Sequence, residues 1–429
     1  MRIYIENVSI IDSNSPFNGQ TLNLLVEDGY VKSINPEATA GVDHHFSSGP
    51  YQLSASWVDM RVFCGDPGEE YREDFESIRM VLSAGGFGHA LLMPNTTPVL
   101  QHKSAVHAVL ATNFQQALQL YPAAAISKDT EGAEMNEMLD LHTAGAKAFT
   151  DGEKPLWNSD LLVKTLQYLQ KFKGLLMNFP QDRMLAMFGQ MHEGIVSTGL
   201  GLKGIPSVAE EIMIQRDLEL LRYAGGKIHF SAISTAKSVA LIKAAKAEGL
   251  SVSCDVTIHH LILSDDALET FDTNYKVLPP LRRKEDNAAL IAGVNEGVVD
   301  VIVSGHQPYN DDYKKMEFDL AAFGIMGAQI MYPLYDKYLK DEIPLSKFIA
   351  CITEHPRKLL GITSVPLAEG AKADFTLFSS ETPWTFDEKH NHSKSNNSPF
   401  LNNQFKAAAL AVFNNEAFFI SPFINNSKL

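Results

Sequence analysis

The first fifty residues alternate apolar and polar positions in short runs. Ile3, Ile5 and Val8 are followed by Leu22, Leu24 and Val26, then by the turn Glu27-Asp28-Gly29, then by Val31 and Ile34. Period-two spacing broken by turn residues predicts short strands. From about residue 53 the rhythm changes. Apolar runs at 55–63, 88–93, 122–126, 145–149, 174–179, 227–233, 250–257 and 299–304 give eight strand candidates. Between them, segments such as 74–84, 104–118, 135–142, 207–223, 236–247 and 284–295 place apolar residues three and four apart, as amphipathic helices do. Asp74 and Ser207 are expected as helix caps, with Glu210 completing a capping box after Ser207. Strand rhythm returns at 375–378, 407–412 and 418–420, around a polar stretch, 386–405, rich in Asn, Ser and His.

Parallel strands need crossover helices, so eight strand–helix units predict an α/β fold closed as a (β/α)8 TIM barrel over 53–364. The two chain ends, 1–52 and 365–429, are expected to pair into one small β-sandwich domain. An open doubly wound sheet is the alternative, but no Gly-x-Gly-x-x-Gly follows a strand, which disfavours a dinucleotide site.

Composition narrows the function classes. The chain has 429 residues, 45% hydrophobic and 20% charged, with a net charge of −15, so a nucleic-acid partner is not expected. No apolar run reaches the roughly 18 residues of a membrane span, and the N-terminus alternates like a strand rather than a signal peptide. Cys64, Cys254 and Cys351 form no CxxC pair, which predicts reduced thiols in a cytoplasmic protein.

Candidate chemistry begins at Trp57-Val58-Asp59-Met60-Arg61-Val62-Phe63-Cys64-Gly65-Asp66-Pro67-Gly68, a strand entering a Gly/Pro loop. Further blocks are Gly85-Gly86-Phe87 with Met93-Pro94-Asn95-Thr96, Ala148-Phe149-Thr150-Asp151-Gly152, Gly204-Ile205-Pro206 with Ala209-Glu210-Glu211, Ser234-Thr235-Ala236, His259-His260-Leu261, Lys276-Val277 with Pro279-Pro280-Leu281-Arg282, and Ala322-Phe323-Gly324. In order and spacing the set resembles the dihydroorotase family of the cyclic amidohydrolase superfamily, over nearly the whole chain. The resemblance implies the metal-dependent amidohydrolase type of barrel and a zinc cofactor.

Residue by residue, the resemblance implies a degenerate site. Its two strand-one metal histidines fall at Arg61 and Phe63, and its strand-four acid is kept as Asp151. The strand-five histidine falls at Asn178, the strand-six histidine at Ala232, and the strand-eight aspartate, ligand and general base, at Gly305. Of the substrate groups, the loop arginine falls at Gly65, the asparagine before Pro-Pro at Leu278 and the last histidine at Tyr309; only Asn95 is kept. A guanidinium offers no acceptor to a metal and repels it. A zinc site needs three or four convergent ligands, and of the six positions only Asp151 coordinates strongly.

The expectation is therefore no metal, no other cofactor and no hydrolytic activity, with a structural or regulatory role in pyrimidine biosynthesis. Aspartate transcarbamoylase is the partner implied by the resemblance, with self-association as the alternative. An active hydrolase with a relocated site and a small-molecule sensor with an anion pocket around Asn95 and Arg61 are the competing functions. Asp151 is open to three readings: a strand-ending Asx-turn, a metal ligand, or an ion pair with Arg61, with Asn178 as neutral neighbour and Phe63 filling the vacated space. The ion pair is the expected one, because a buried carboxylate that loses its dication needs a partner. His259 and His260, as adjacent strand residues, should face opposite ways. His229 and His306 are expected to be structural, Cys64 inert, His390 and His392 solvated, and Asp265-Asp266 and Glu210-Glu211 exposed or capping.

Overall fold

The computed structural model describes residues 1–36, 41–47 and 49–422. Eight parallel strands form one sheet in sequence order: Trp57–Val62, Phe87–Leu92, Gln119–Ala124, Ala148–Phe149, Leu176–Asn178, Ile228–Phe230, Val252–Thr257 and Val301–Val303. The amide of Phe63 donates to the carbonyl of His306, and Val62 bridges His306 in parallel, so the last strand meets the first. The expected (β/α)8 barrel is the observed fold. Its strands bury both faces, as a helix-wrapped parallel sheet requires. Val58, Met60, Leu91, Ala123, Met177, Val301 and Val303 fill the interior.

Local sequence accounts for several element boundaries. Helix Phe75–Ala84 starts at Asp74, whose carboxylate accepts from Ser77 N at 2.7 Å while Ser77 Oγ accepts from Asp74 N at 3.0 Å, a reciprocal cap. Helix Ala236–Ala247 is capped by Thr235, which accepts from Ser238 N. The expected Ser207 cap is absent. Ser207 has helical dihedrals and its side chain makes no capping bond. Glu210 instead turns inward, for reasons given below.

Both chain ends enter one eight-stranded sheet. Its order runs Ala417–Ile420, Ala408–Asn414, Phe375–Ser379, Tyr51–Ala55, Arg2–Ile10, Thr21–Glu27 and Tyr30–Ile34, with His44–Phe46 beside Arg2–Ile10. Residues 423–429, within the expected C-terminal part, lie outside the described residues. Strand Tyr51–Ala55 runs through Ser56 straight into the first barrel strand. There Arg357, 2% exposed, donates to both oxygens of Asp374 at 3.0 Å and to the Ser56 carbonyl at 2.8 Å. This buried ion pair, joined by His89 at 3.6 Å, ties the end sheet to the barrel.

The polar stretch 386–405 is not the solvated loop expected of its composition. It carries two short paired strands at its ends, Trp384–Phe386 and Asn403–Phe405, and straps across the barrel mouth. Asn397 accepts from Tyr309 N and donates to the Gln307 carbonyl, and Ser393 Oγ donates to the buried Glu73. His390 and His392 are correspondingly half-buried, held through Gln329, which donates to the His390 carbonyl and accepts from His392 N. Among the described residues no helix is long and apolar enough to cross a membrane.

Candidate functional site

At the C-terminal ends of the barrel strands, Arg61, Phe63, Asn95, Leu278 and Tyr309 line two adjoining cavities, which Gly65, Asp151, Asn178, Ala232 and Gly305 do not line. Arg61, at the end of strand one, is 3% exposed. Its guanidinium carbon lies 5.3 Å from the ring centre of Phe63 and 5.4 Å from that of Phe179, within cation–π range. Burial pulls its pKa below the ordinary arginine value, against the opposing charges of Asp255, Glu153 and Asp59.

The expected Arg61–Asp151 ion pair does not form. Asp151 accepts from Ser127 N at 2.9 Å and from Ser127 Oγ at 2.5 Å, so both of its oxygens are engaged. Burial outweighs these bonds and pushes its carboxyl up to about 6. The Asp151 carboxyl is thus held by a serine and protonates more easily than an exposed one, with no guanidinium bonded to it. Nor does Asn178 stand by as a neutral partner. Its Oδ1 accepts from Leu156 N at 3.0 Å and its Nδ2 donates to Asp217 at 2.6 Å, within the wall behind the strand. Burial raises Asp217 to about 6 in turn, against Arg216 and Asn178.

The other candidate positions are closed by backbone geometry. Ala232 sits at φ +54° with its amide donated to Asp255 Oδ1 at 2.7 Å. Gly305 sits at φ +61°, and a Cβ there would lie 2.9 Å from His259 Cε1 and 3.0 Å from Thr257 Cγ2. At Gly65 a Cβ would meet the Glu69 carbonyl oxygen at 2.0 Å. Asn95 donates to the Asp151 carbonyl and accepts from Glu153 N, pinning the strand-four loop. Leu278 and Tyr309 line the mouth beside Arg61, and Arg72 stacks 3.9 Å from the Tyr309 ring centre.

Comparison with known proteins fits this frame. A family model described as Dihydro-orotase-like matches residues 53–238. The chain is 36% identical to a dihydroorotase of Pelobacter propionicus over 416 residues, covering 96% of this chain and 98% of that one. It is 38% identical to a dihydroorotase of Acetivibrio thermocellus over 400 residues, covering 92% and 93%. The chain belongs to the dihydroorotase-like family. An L-hydantoinase (dihydropyrimidinase) from Arthrobacter aurescens superposes with a TM-score of 0.82 at 20% identity, covering 96% of this chain and 94% of that one, a likeness of fold.

Against the metal site that the dihydroorotase resemblance implies, the donor set does not fit. Among the described residues no three His, Cys, Asp or Glu side chains converge on a point that could hold an ion. His259 and His260 lie not on a strand, as expected, but on the short helix Ile258–Ile262, with ring centres 4.7 Å apart. His260 is engaged at both nitrogens, with Thr257 Oγ1 and the Pro279 carbonyl, and burial lowers its pKa to about 4. His229 contacts Ser253 and Asp255, His306 contacts Glu73, and burial pushes the Cys64 thiol far up.

The burial of several acids was missed in the sequence. Glu210, read as a surface or capping charge, is 2% exposed. It accepts from Ser234 N, Thr235 N and Ser238 Oγ, and lies 3.8 Å from the buried Arg282. Asp265, also expected outside, is buried. Helix Val208–Ala224 buries Ala209, Glu210, Met213, Ile214, Asp217, Leu218 and Leu221. Two acids therefore stand at apolar positions of a helical stripe, and that spacing was a readable signal.

Proposed function

We propose that this chain is a non-hydrolytic dihydroorotase-like protein. It serves pyrimidine biosynthesis in the cytoplasm as a structural or regulatory subunit, without a metal. The observation that carries the reading is the engagement of the remaining polar groups at the mouth. Hydrolysis of a cyclic amide by the family's chemistry requires a metal-activated water and a carboxylate to take its proton. Asp151 is closed off by Ser127, and Asn178 by Leu156 and Asp217. Arg61 adds a cation, and at Gly305 a side chain would press on His259 and Thr257 from a left-handed backbone.

A role through protein contacts is supported by the excursion after strand five. Residues 180–206, between strand five and helix Val208–Ala224, carry Met184, Phe188 and Ile195, which are 64%, 75% and 92% exposed. Aspartate transcarbamoylase is the first candidate partner; a second copy of this chain is the alternative. The test of inactivity is a steady-state assay with dihydroorotate and with carbamoyl aspartate, with zinc supplied, alongside elemental analysis. We expect no protein-dependent turnover and well below one zinc per chain. Turnover proportional to protein and abolished by a chelator would overturn the reading.

A further inference from the structure

We propose that the barrel mouth is an anion pocket, in which Arg61 binds the carboxylate of a small aromatic acid. The inference rests on the reading that no metal occupies the mouth. Arg61 is more than nine-tenths buried, yet its guanidinium makes no hydrogen bond to any described residue, and Nη1 is fully enclosed without a partner. Its backbone amide donates to Asp59. A buried cation lacking hydrogen bonds is costly. It is also poised: a carboxylate that reaches it gains charge-assisted bonds.

The space for such a ligand exists. Arg61 lines a cavity of about 230 Å³ with Phe179, Leu278, Tyr309 and Phe323. A second cavity of about 510 Å³, sharing Glu153, Gln307 and Tyr309 with it, lies beside it. Aromatic and aliphatic walls around a few polar groups, here Arg61, Glu153 and Gln307, are the usual make-up of a small-molecule pocket. They favour a flat apolar body behind the carboxylate. Glu153 is the one acid lining this cavity, and Gln307 Nε2 holds its carboxylate at 2.7 Å. Its charge opposes an incoming anion, so it makes a second and opposite test of the same idea.

The experiment is calorimetric titration of the full chain with benzoate in a carboxylate-free buffer, with and without chelator, and with benzamide as the uncharged control. The pocket predicts saturable benzoate binding that is unaffected by chelator and at least tenfold tighter than benzamide. Arg61→Met should weaken benzoate at least tenfold while circular dichroism shows the fold retained. Glu153→Gln, a half-buried change, should tighten it several-fold, and keeps the test available if Arg61→Met fails to fold. No saturable binding, equal affinity for benzamide, or unchanged affinity in either folded variant would overturn the anion pocket alone. Binding lost on chelation, with metal found in the sample, would overturn both this proposal and the non-hydrolytic reading.

Discussion

Asp151 is the one strong ligand kept among the six positions implied by the family, and its surroundings give it a distinctive dependence on pH. Burial raises its carboxyl to about 6, above the about 3.9 of an exposed aspartate. The folded state therefore binds a proton more tightly than the unfolded state. The stability this contributes is complete below the unfolded value and is lost as pH rises through about 6. Asp151→Asn keeps the shape, and can still accept from Ser127 N and donate to Ser127 Oγ. Its stability relative to the parent should be better at pH 8 than at pH 5 by roughly 1 kcal/mol. Urea midpoints of both proteins at the two pH values measure this. A difference independent of pH would mean that Asp151 titrates normally. Gly305 gives a complementary expectation. Gly305→Asp restores the family's carboxylate but forces a side chain onto φ +61° and against His259 and Thr257. It should cost roughly 1–3 kcal/mol and yield no turnover; a stable, active variant would refute both halves.

At the scale of elements, periodicity made the barrel legible and said little about its mouth. All eight strand candidates coincide with observed strands, because strands covered by helices on one side and core on the other must be apolar throughout. Helices Ala236–Ala247 and Lys284–Asn295 match the expected spans to the residue. What failed were inferences from polarity to exposure. Glu210 and Asp217 look like surface charges until Ser234, Ser238 and Asn178, distant in sequence, are folded against them. The strap 386–405 gives no local sign of how it is held, because its partners, among them backbone groups of residues 307 and 309 and the side chains of Glu73 and Gln329, lie far away in sequence. The Arg61–Asp151 pair was a reasonable inference from charge conservation at a shared site. It failed because Ser127, a residue with no motif, was nearer to the carboxylate. The strap itself is testable. Asn397→Ala removes one buried and one part-buried hydrogen bond, to the Gln307 carbonyl and from Tyr309 N, and should destabilise by roughly 1–3 kcal/mol. An unchanged urea midpoint would show that the strap is loosely held.

For the whole molecule, the question is which surface acts if the mouth does not hydrolyse. The net charge of −15 works against association through unspecific contacts, so a binding face needs local apolar character. The excursion after strand five supplies it. Ala186, Ile205 and Ala209 pack together, and Asp182 N donates to the Ala209 carbonyl, fastening the excursion to the start of helix Val208–Ala224. On this firm base Phe188 stays 75% exposed and is held at φ +62°, an unfavourable backbone for a bulky residue. Ile212 on the adjoining helix is 48% exposed. Exposed as they are, such residues contribute little burial to the isolated chain, whereas fully buried against a partner each large apolar side chain contributes about 1.5–3 kcal/mol. If this face is the interface, Phe188→Asp with Ile212→Asp should leave folding intact. The pair should also weaken assembly with aspartate transcarbamoylase, or of the chain with itself, by a hundredfold or more. Light scattering of the parent and the variant, alone and mixed with the candidate partner at micromolar concentration, reads this directly. Assembly of the same mass and strength in both would place the interface elsewhere on the barrel. A parent that remains a monomer in every mixture would count against the subunit role itself.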